Sequence, residues 1–230
     1  MINYNVRPTH DRLPVGALLA AAAGGLDAYT YLQHGEVFAG LQTGNLILLG
    51  ASIGQGHYGR MAQYVTSILM FLVGAMIARW IQKHWPIRML PAVSRSGFII
   101  VYEIVLLLIA GAFSSHWPNM LITGILSLVA AAQLQEFRQL NGGPFTSLMM
   151  TGNVRTLAES IYDGLLAHDK TAVPKGLTTG TVILSFVAGA GVTALLTHYW
   201  HGQTIWLSAV ILAVTLGVSH LERREKVQNS

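Results

Sequence analysis

The sequence predicts an all-α membrane protein of six transmembrane helices. They form two inverted three-helix repeats, each with a re-entrant half-helix carrying Thr-Gly-Asn. Three observations lead there. The first is composition: 52% of the 230 residues are hydrophobic and 10% charged, where soluble domains carry roughly 25% charged residues. Residues 37–59, 61–78, 104–135 and 176–221 hold no Asp, Glu, Lys or Arg. A spanning helix needs about 20 mostly apolar residues, so the last two runs are each long enough for two spans.

The second observation is an internal repeat, which defines an architecture more strongly than any local pattern. Thr43-Gly44-Asn45 recurs as Thr151-Gly152-Asn153. At the same offset Gly35 falls on Gly143, Leu49 on Leu157, Ser52 on Ser160 and Ile53 on Ile161. Further on, Thr66–Ala75 aligns with Thr181–Ala190 with six of ten positions identical. The third observation is the distribution of Lys and Arg. If both tripeptide elements cross the membrane, Arg79, Lys83, Arg88, Arg95 and Arg138 fall outside, against the positive-inside bias. If both enter and leave on one side, twelve Lys and Arg lie inside and only Arg60 outside, with Arg155, inside the second element, left uncounted. Three spans per repeat then give the two copies opposite orientation, as in many transporters and channels. The repeats run over 13–115 and 118–221 of a single membrane domain, with both termini cytoplasmic.

Taken in order, residues 1–14 are polar and carry Arg7 and Arg12. They lack a short apolar core followed by a small-residue cleavage site, so the first span is read as retained. That span, Leu13 to Leu32, contains Ala20-Ala21-Ala22-Ala23-Gly24-Gly25, a small-residue face that admits a close helix neighbour. Gly35 breaks it. Val37–Ile53 is the first tripeptide element, closed by Gly54. Met61–Trp80 is a span, and 79–95 a basic loop with Pro86 and Pro91. Gly97–Phe113 is a span with Glu103 inside it, 114–118 a turn, Asn119–Leu134 a span and 135–143 a polar break. Pro144–Ile161 is the second element, closed by Asp163-Gly164. Gly176–Leu196 and Thr204–His220 complete the spans. Trp80 and Trp85 mark the inner interface, and Trp117, Trp200 and Trp206 the outer one.

Several residues are candidates for chemistry. Thr43 and Thr151 are good helix N-caps, which would place free N–H groups and partial positive charge near the bilayer centre. Gly44 and Gly152 allow close backbone approach, and Asn45 and Asn153 offer donors and an acceptor. Two such ends meeting from opposite faces would line a polar site for a small solute, and positive helix ends suit an anion. Alternatively, the tripeptides satisfy each other across the pseudo-twofold axis and hold the repeats together. Asp27 and Glu103 are ionisable groups at membrane depth and candidates for proton coupling; Glu103, about two turns into its span, is otherwise a residue that snorkels towards the cytoplasm. Asp27 also falls on the expected solute site; otherwise it is an interfacial Asp capping the break at Gly35. Arg155 either adds positive potential beside the second tripeptide or pairs with Glu159, four residues on.

Other classes are excluded or find no support. There is no cysteine, hence no disulfide and no thiolate chemistry. The nine His form no metal set; His198 and His201 have helical ligand spacing but no third ligand. No Ser/His pair, paired Asp or His-Glu zinc motif lies in the spans, so neither an enzyme nor a cofactor is expected. The formal charge of +4 reflects loop Lys and Arg beside an anionic leaflet, without the aromatic interleaving of a nucleic-acid surface. The partners expected are lipid, a small solute and further copies of the chain. The alternative is a non-transporting membrane scaffold or partner subunit.

Gly25-Leu26-Asp27-Ala28, Tyr31-Leu32, Gly35, Phe38 and Thr43-Gly44-Asn45 resemble the YoaK-like family of bacterial integral membrane proteins, a domain of unknown function. The resemblance covers nearly the whole chain. It implies a bacterial inner-membrane location and a chain of about this length, but no substrate and no site.

Overall fold

The computed structural model describes residues 12–85 and 94–228, the last seven of these as backbone only. Arg7, Arg88, Pro86, Pro91 and the side chains of Arg223, Arg224 and Lys226, used above in the charge and loop arguments, lie outside what is described. The architecture is all-helical: α1 (Leu13–Gln33), α2 (Gln42–Gly54), α3 (Tyr58–His84), α4 (Arg95–Phe113), α5 (Asn119–Glu136), α6 (Met150–Leu165), α7 (Ala172–Trp200) and α8 (Trp206–Gln228). A 3-10 turn, His201–Ile205, joins the last two. A two-residue hairpin pairs Gln139–Leu140 (β1) with Gly143–Pro144 (β2).

Local chemistry explains most of the boundaries. Pro14 stands in the first turn of α1, where its missing N–H costs nothing. That helix stops at His34 because Gly35 and Glu36 adopt positive φ (83° and 61°). Ser94 caps α4, its Oγ accepting from the Gly97 N–H at 3.0 Å. Asn141-Gly142, both at positive φ, makes the tight turn of the hairpin. Expected and observed bounds differ in a few places. The basic ends of α3 and α7 remain helical, so Arg60, Arg79, Lys83 and Lys175 sit on helices. Gly164 does not stop α6, which runs one residue further.

Four stretches are long and apolar enough to cross a membrane: Leu13–Gln33, Tyr58–His84, Arg95–Phe113 and the double-length Ala172–Leu221. They contain α1, α3, α4, α7 and most of α8. The remaining long helix, α5, ends in Gln133, Gln135 and Glu136, and is largely enclosed by its neighbours. The exposed faces of α3 and α7 are apolar, with Leu69, Leu72 and Met76 on one and Leu184, Val187 and Leu195 on the other. Contiguous apolar surface of this kind marks a face that water does not cover.

The packing has a regular scheme. α1 lies against α7 and α8, and α5 against α3 and α4; α2 packs on α3, and α6 on α7. Exchanging α1–α4 for α5–α8 turns each of these contacts into another of them. α4 with α8, and α1 with α5, touch across the centre. Aligned glycines make equivalent close approaches. A Cβ at Gly189 would strike the Ala21 backbone, and one at Gly74 the Leu128 backbone.

The two ends of the bundle differ. At one end Arg95 meets Glu136, Gln82 meets Gln135 and Glu136, Trp85 stacks near Phe98, and Gly16 lies under Leu140. At the other end Trp117 stacks on Phe113, and Trp206 covers Gly111 while its Nε1 donates to the Leu108 carbonyl.

Candidate functional site

Of the expected site residues, Asp27, Gly44 and Asn45 gather around a short non-helical segment, Phe38–Gly40, between α1 and α2. A buried extended segment has backbone groups that no helix ladder satisfies. Here three consecutive N–H groups are taken by three side chains. Phe38 N–H donates to Asn45 Oδ1 (2.9 Å), Ala39 N–H to Thr30 Oγ1 (3.2 Å) and Gly40 N–H to Asp27 Oδ1 (2.6 Å). Asn45 completes the clasp by donating through Nδ2 to the Phe38 carbonyl at 2.7 Å. Its amide also lies 3.0 Å from Gln42 Oε1 and 3.0 Å from Ser67 Oγ. Ser67 on α3 in turn bonds Ser127 on α5 at 2.8 Å. Asn45, Thr30, Ser67 and Ser127 are fully buried and Asp27 nearly so. α1, α2, α3 and α5 are thereby tied to one loop.

The second tripeptide repeats the central bond. Asn153 Nδ2 donates to the Thr146 carbonyl at 3.1 Å, and Thr146 stands to Asn153 as Phe38 stands to Asn45. Its other neighbour is Met150 Sδ at 3.4 Å, and Val182 stands where the first half has Ser67. The loop before α6 is held also by Gln133, whose Nε2 donates to Ser147 Oγ (2.7 Å) and to the Leu19 carbonyl (3.0 Å).

Several expectations need correction at this level. Thr43 and Thr151 are not caps. α2 and α6 begin one residue earlier, after Leu41 and Met149, which make no side-chain cap bond. The asparagines do the anchoring, reaching back seven residues to the incoming non-helical segment. The two tripeptides do not bond each other either: the partners of Asn45 and Asn153 are all local or on α3. What meets across the centre is the pair of incoming segments. A Cβ at Gly40 would collide with Leu148, its counterpart in the second half. Gly44 lies under the Phe38 ring, whereas nothing stands within 4 Å of a Cβ at Gly152.

Arg155 points away from this assembly. It is 78% exposed and pairs with Glu159 at 3.5 Å within α6. Glu103 is also separate from the clasps. It is fully buried in α4, and neither carboxyl oxygen has a hydrogen-bond partner. Glu136, one helix away, is by contrast well served, by Arg95 Nε at 3.0 Å, Ser96 Oγ at 2.9 Å and Gln82 Nε2 at 3.1 Å.

One polar cluster has no local signature in the sequence. At the far end of α1, Tyr29 OH donates to the Gly202 carbonyl (2.7 Å) and lies 2.8 Å from Ser114 Oγ and 3.0 Å from His34 Nε2. The other ring nitrogen of His34 sits 2.9 Å from Asn119 Oδ1. Burial holds His34 below the ordinary histidine range, against the Asn119 contact that raises it. The cluster joins the ends of α1 and α4 to the start of α5 and the 3-10 turn.

Comparison with known proteins follows the same extent of chain. A family model described as "Protein of unknown function (DUF1275)" matches residues 15–218, from the first turn of α1 into α8. The UPF0700 transmembrane protein YoaK of Bacillus subtilis (strain 168) is 26% identical over 203 residues, covering 85% of this chain and 88% of the relative. No solved structure matches. With apolar helices that face outward and a transmembrane relative of nearly equal extent, the chain is a multi-pass membrane protein, and it belongs to the DUF1275 family.

Proposed function

We propose that the protein is a transporter or channel of a bacterial inner membrane for a small, anionic solute, with both termini in the cytoplasm. In this reading α1, α3, α4, α5, α7 and α8 cross the bilayer, and α2 and α6 are re-entrant. Their lengths support it. At 1.5 Å per residue they extend about 20 and 24 Å, short of a hydrocarbon core of about 30 Å. Glu36, before α2, pairs with Arg60, after it, at 2.6 Å, which suits entry and exit at one end. The exchange symmetry of the packing supports repeats 13–115 and 118–221 of opposite orientation.

The observation that carries the functional reading is the meeting of two buried, non-helical segments at Gly40 and Leu148. Irregular backbone at membrane depth is tolerated where it is enclosed by protein or lines a path, and broken helices of this kind build transporter sites. Asp27, Asn45 and Asn153 hold those segments, so they set the geometry of the path.

A specific observation favours the scaffold alternative. Both polar ends of Asn45 are already engaged in the clasp, which leaves little for a solute. The two readings separate in vesicles. Protein-loaded vesicles should take up at least one of a panel of small carboxylates and inorganic anions faster than empty ones. Asp27→Asn or Asn153→Ala should change that rate while the protein stays folded. Equal uptake by loaded and empty vesicles across the panel would favour the scaffold. Orientation has its own test: an impermeant thiol reagent should label a cysteine replacing His116 from outside, but not one replacing Lys170.

A further inference from the structure

We propose that Glu103 is a proton-binding site, and that the packing of α4 against α5 and α8 closes over it only while it carries its proton. The site is built by position. Glu103 lies eight residues from Arg95, about 12 Å along the helix, near the middle of a 19-residue helix. It shares a buried face with Ser96, Ile99, Ile100 and Leu107, the three- and four-residue spacing that lines one side of a helix.

The surroundings supply nothing for a charge. Both carboxyl oxygens are buried without a partner. α8 has no titratable residue from Trp206 to Ser219, and α5 presents Glu136, another acid. On its own helix the adjacent titratable group is Tyr102. The 3-10 turn offers only His201, which is exposed, and the cations of α3 lie near its two ends, Arg60 at the start and Arg79 and Lys83 at the finish. An unpaired carboxylate in such a place is strongly disfavoured, whereas the neutral acid has no charge to desolvate. Glu136 shows the contrast, since three donors hold it at the helix ends.

Ionisation of Glu103 therefore requires water or a cation to enter the seam beside α4. On the same face of α4, toward its start, stands Ser96, which bonds Glu136, with Arg95 on the other side of that carboxylate, so this end of the bundle is the direction of exchange. Loss of the proton favours an opened seam and its return a closed one. The inference deepens the transport reading by naming the proton as coupling ion, and for its purpose it rests on that reading.

Its test does not depend on flux. Infrared spectra of the purified full-length protein at neutral pH should contain the carbonyl stretch of a protonated carboxylic acid. Because the group is enclosed, the deuterium shift of that band should be slow. Glu103→Gln should remove the band and Glu103→Asp should move it. A band unchanged in Glu103→Gln overturns the proposal, as does the absence of any such band in the native protein. If the glutamine variant does not fold, the aspartate variant and the exchange rate of the native band still decide. Failure of the infrared test leaves the transport reading standing, and failure of the vesicle assay leaves the proton site standing.

Discussion

Asn45 and Asn153 make the same bond in the two halves of the molecule, yet one is the centre of a buried network and the other is nearly alone. Asn45 holds both the N–H and the carbonyl of Phe38, and Ser67 and Ser127 extend its reach to α3 and α5. Asn153 holds one carbonyl and leans on a thioether. Around it α6 is largely exposed and carries Arg155 and Glu159 on its surface. The difference shows which element of the repeat is essential to its geometry. A side-chain amide that fastens the helix to its own incoming segment is retained in both halves. The partners beyond it are not.

The comparison breaks or holds on four kinds of substitution. The largest effect is expected for Asn45→Ala, which strands the part-buried N–H of Phe38 and leaves its carbonyl to Ser67 Oγ at 3.0 Å. At about 1–3 kcal/mol for the unsatisfied N–H and about 1 kcal/mol for the lost bond to the carbonyl, it should destabilise by about 3 kcal/mol, against about 1 kcal/mol for Asn153→Ala, read as thermal midpoints in detergent. Equal losses would mean that the two clasps bear equal strain and that the network around Asn45 adds nothing. Next come the aligned glycines. Gly189→Ala drives a Cβ into the Ala21 backbone, whereas at Gly74 the nearest atoms stand 2.9 Å away. Overpacking costs typically about 1–3 kcal/mol, so Gly189→Ala should fall at the upper end and Gly74→Ala lower. The reverse order would mean that α1 yields more readily to α7 than α5 does to α3.

A third substitution copies one half onto the other. Ser67→Val gives the first clasp the residue found at Val182. It should cost about 1 kcal/mol, the net worth of a buried hydrogen bond, and no loss would show that Ser67 is a bystander. The smallest effect is expected at Arg155→Ala. An exposed pair four residues apart on a helix contributes about 0.3–0.5 kcal/mol, so the midpoint should hardly move. A large shift would place Arg155 in a contact of the second clasp.

How much of this was legible in the sequence varies with the range of the interaction. The tripeptides, the break at Gly35 and the pairing of Arg155 with Glu159 are set by neighbours within a few residues, and the sequence displays them directly. The hairpin could also have been read, since Asn141-Gly142 is a strong turn dipeptide, but it lay within a stretch taken simply as a polar break. Thr43 and Thr151 misled because a threonine before an apolar helix usually caps it. Here the helix starts earlier, and an asparagine one turn inside does the anchoring. The roles of Asp27 and Thr30 depend on where residues 39 and 40 come to rest, and the link from Tyr29 to Gly202 spans 173 residues. No local pattern announces a bond of that separation. Glu103 was visible as a charge in an apolar run, but not as an acid without a partner, because that depends on what α5 and α8 bring opposite it.

The pairing of α1 with α7 also bears on how the chain is made. α1 ends at Gln33 and α7 begins at Ala172, so at about 5–20 residues per second the first helix waits roughly 7–28 seconds for its main partner. Throughout that interval its glycine groove at Gly24 and Gly25 is vacant on the side that α7 later fills. Any α7 that arrives first fills the groove, whether from the same polypeptide or from a neighbouring ribosome. Crowded synthesis on one messenger should therefore yield exchanged dimers, and slowing initiation should suppress them.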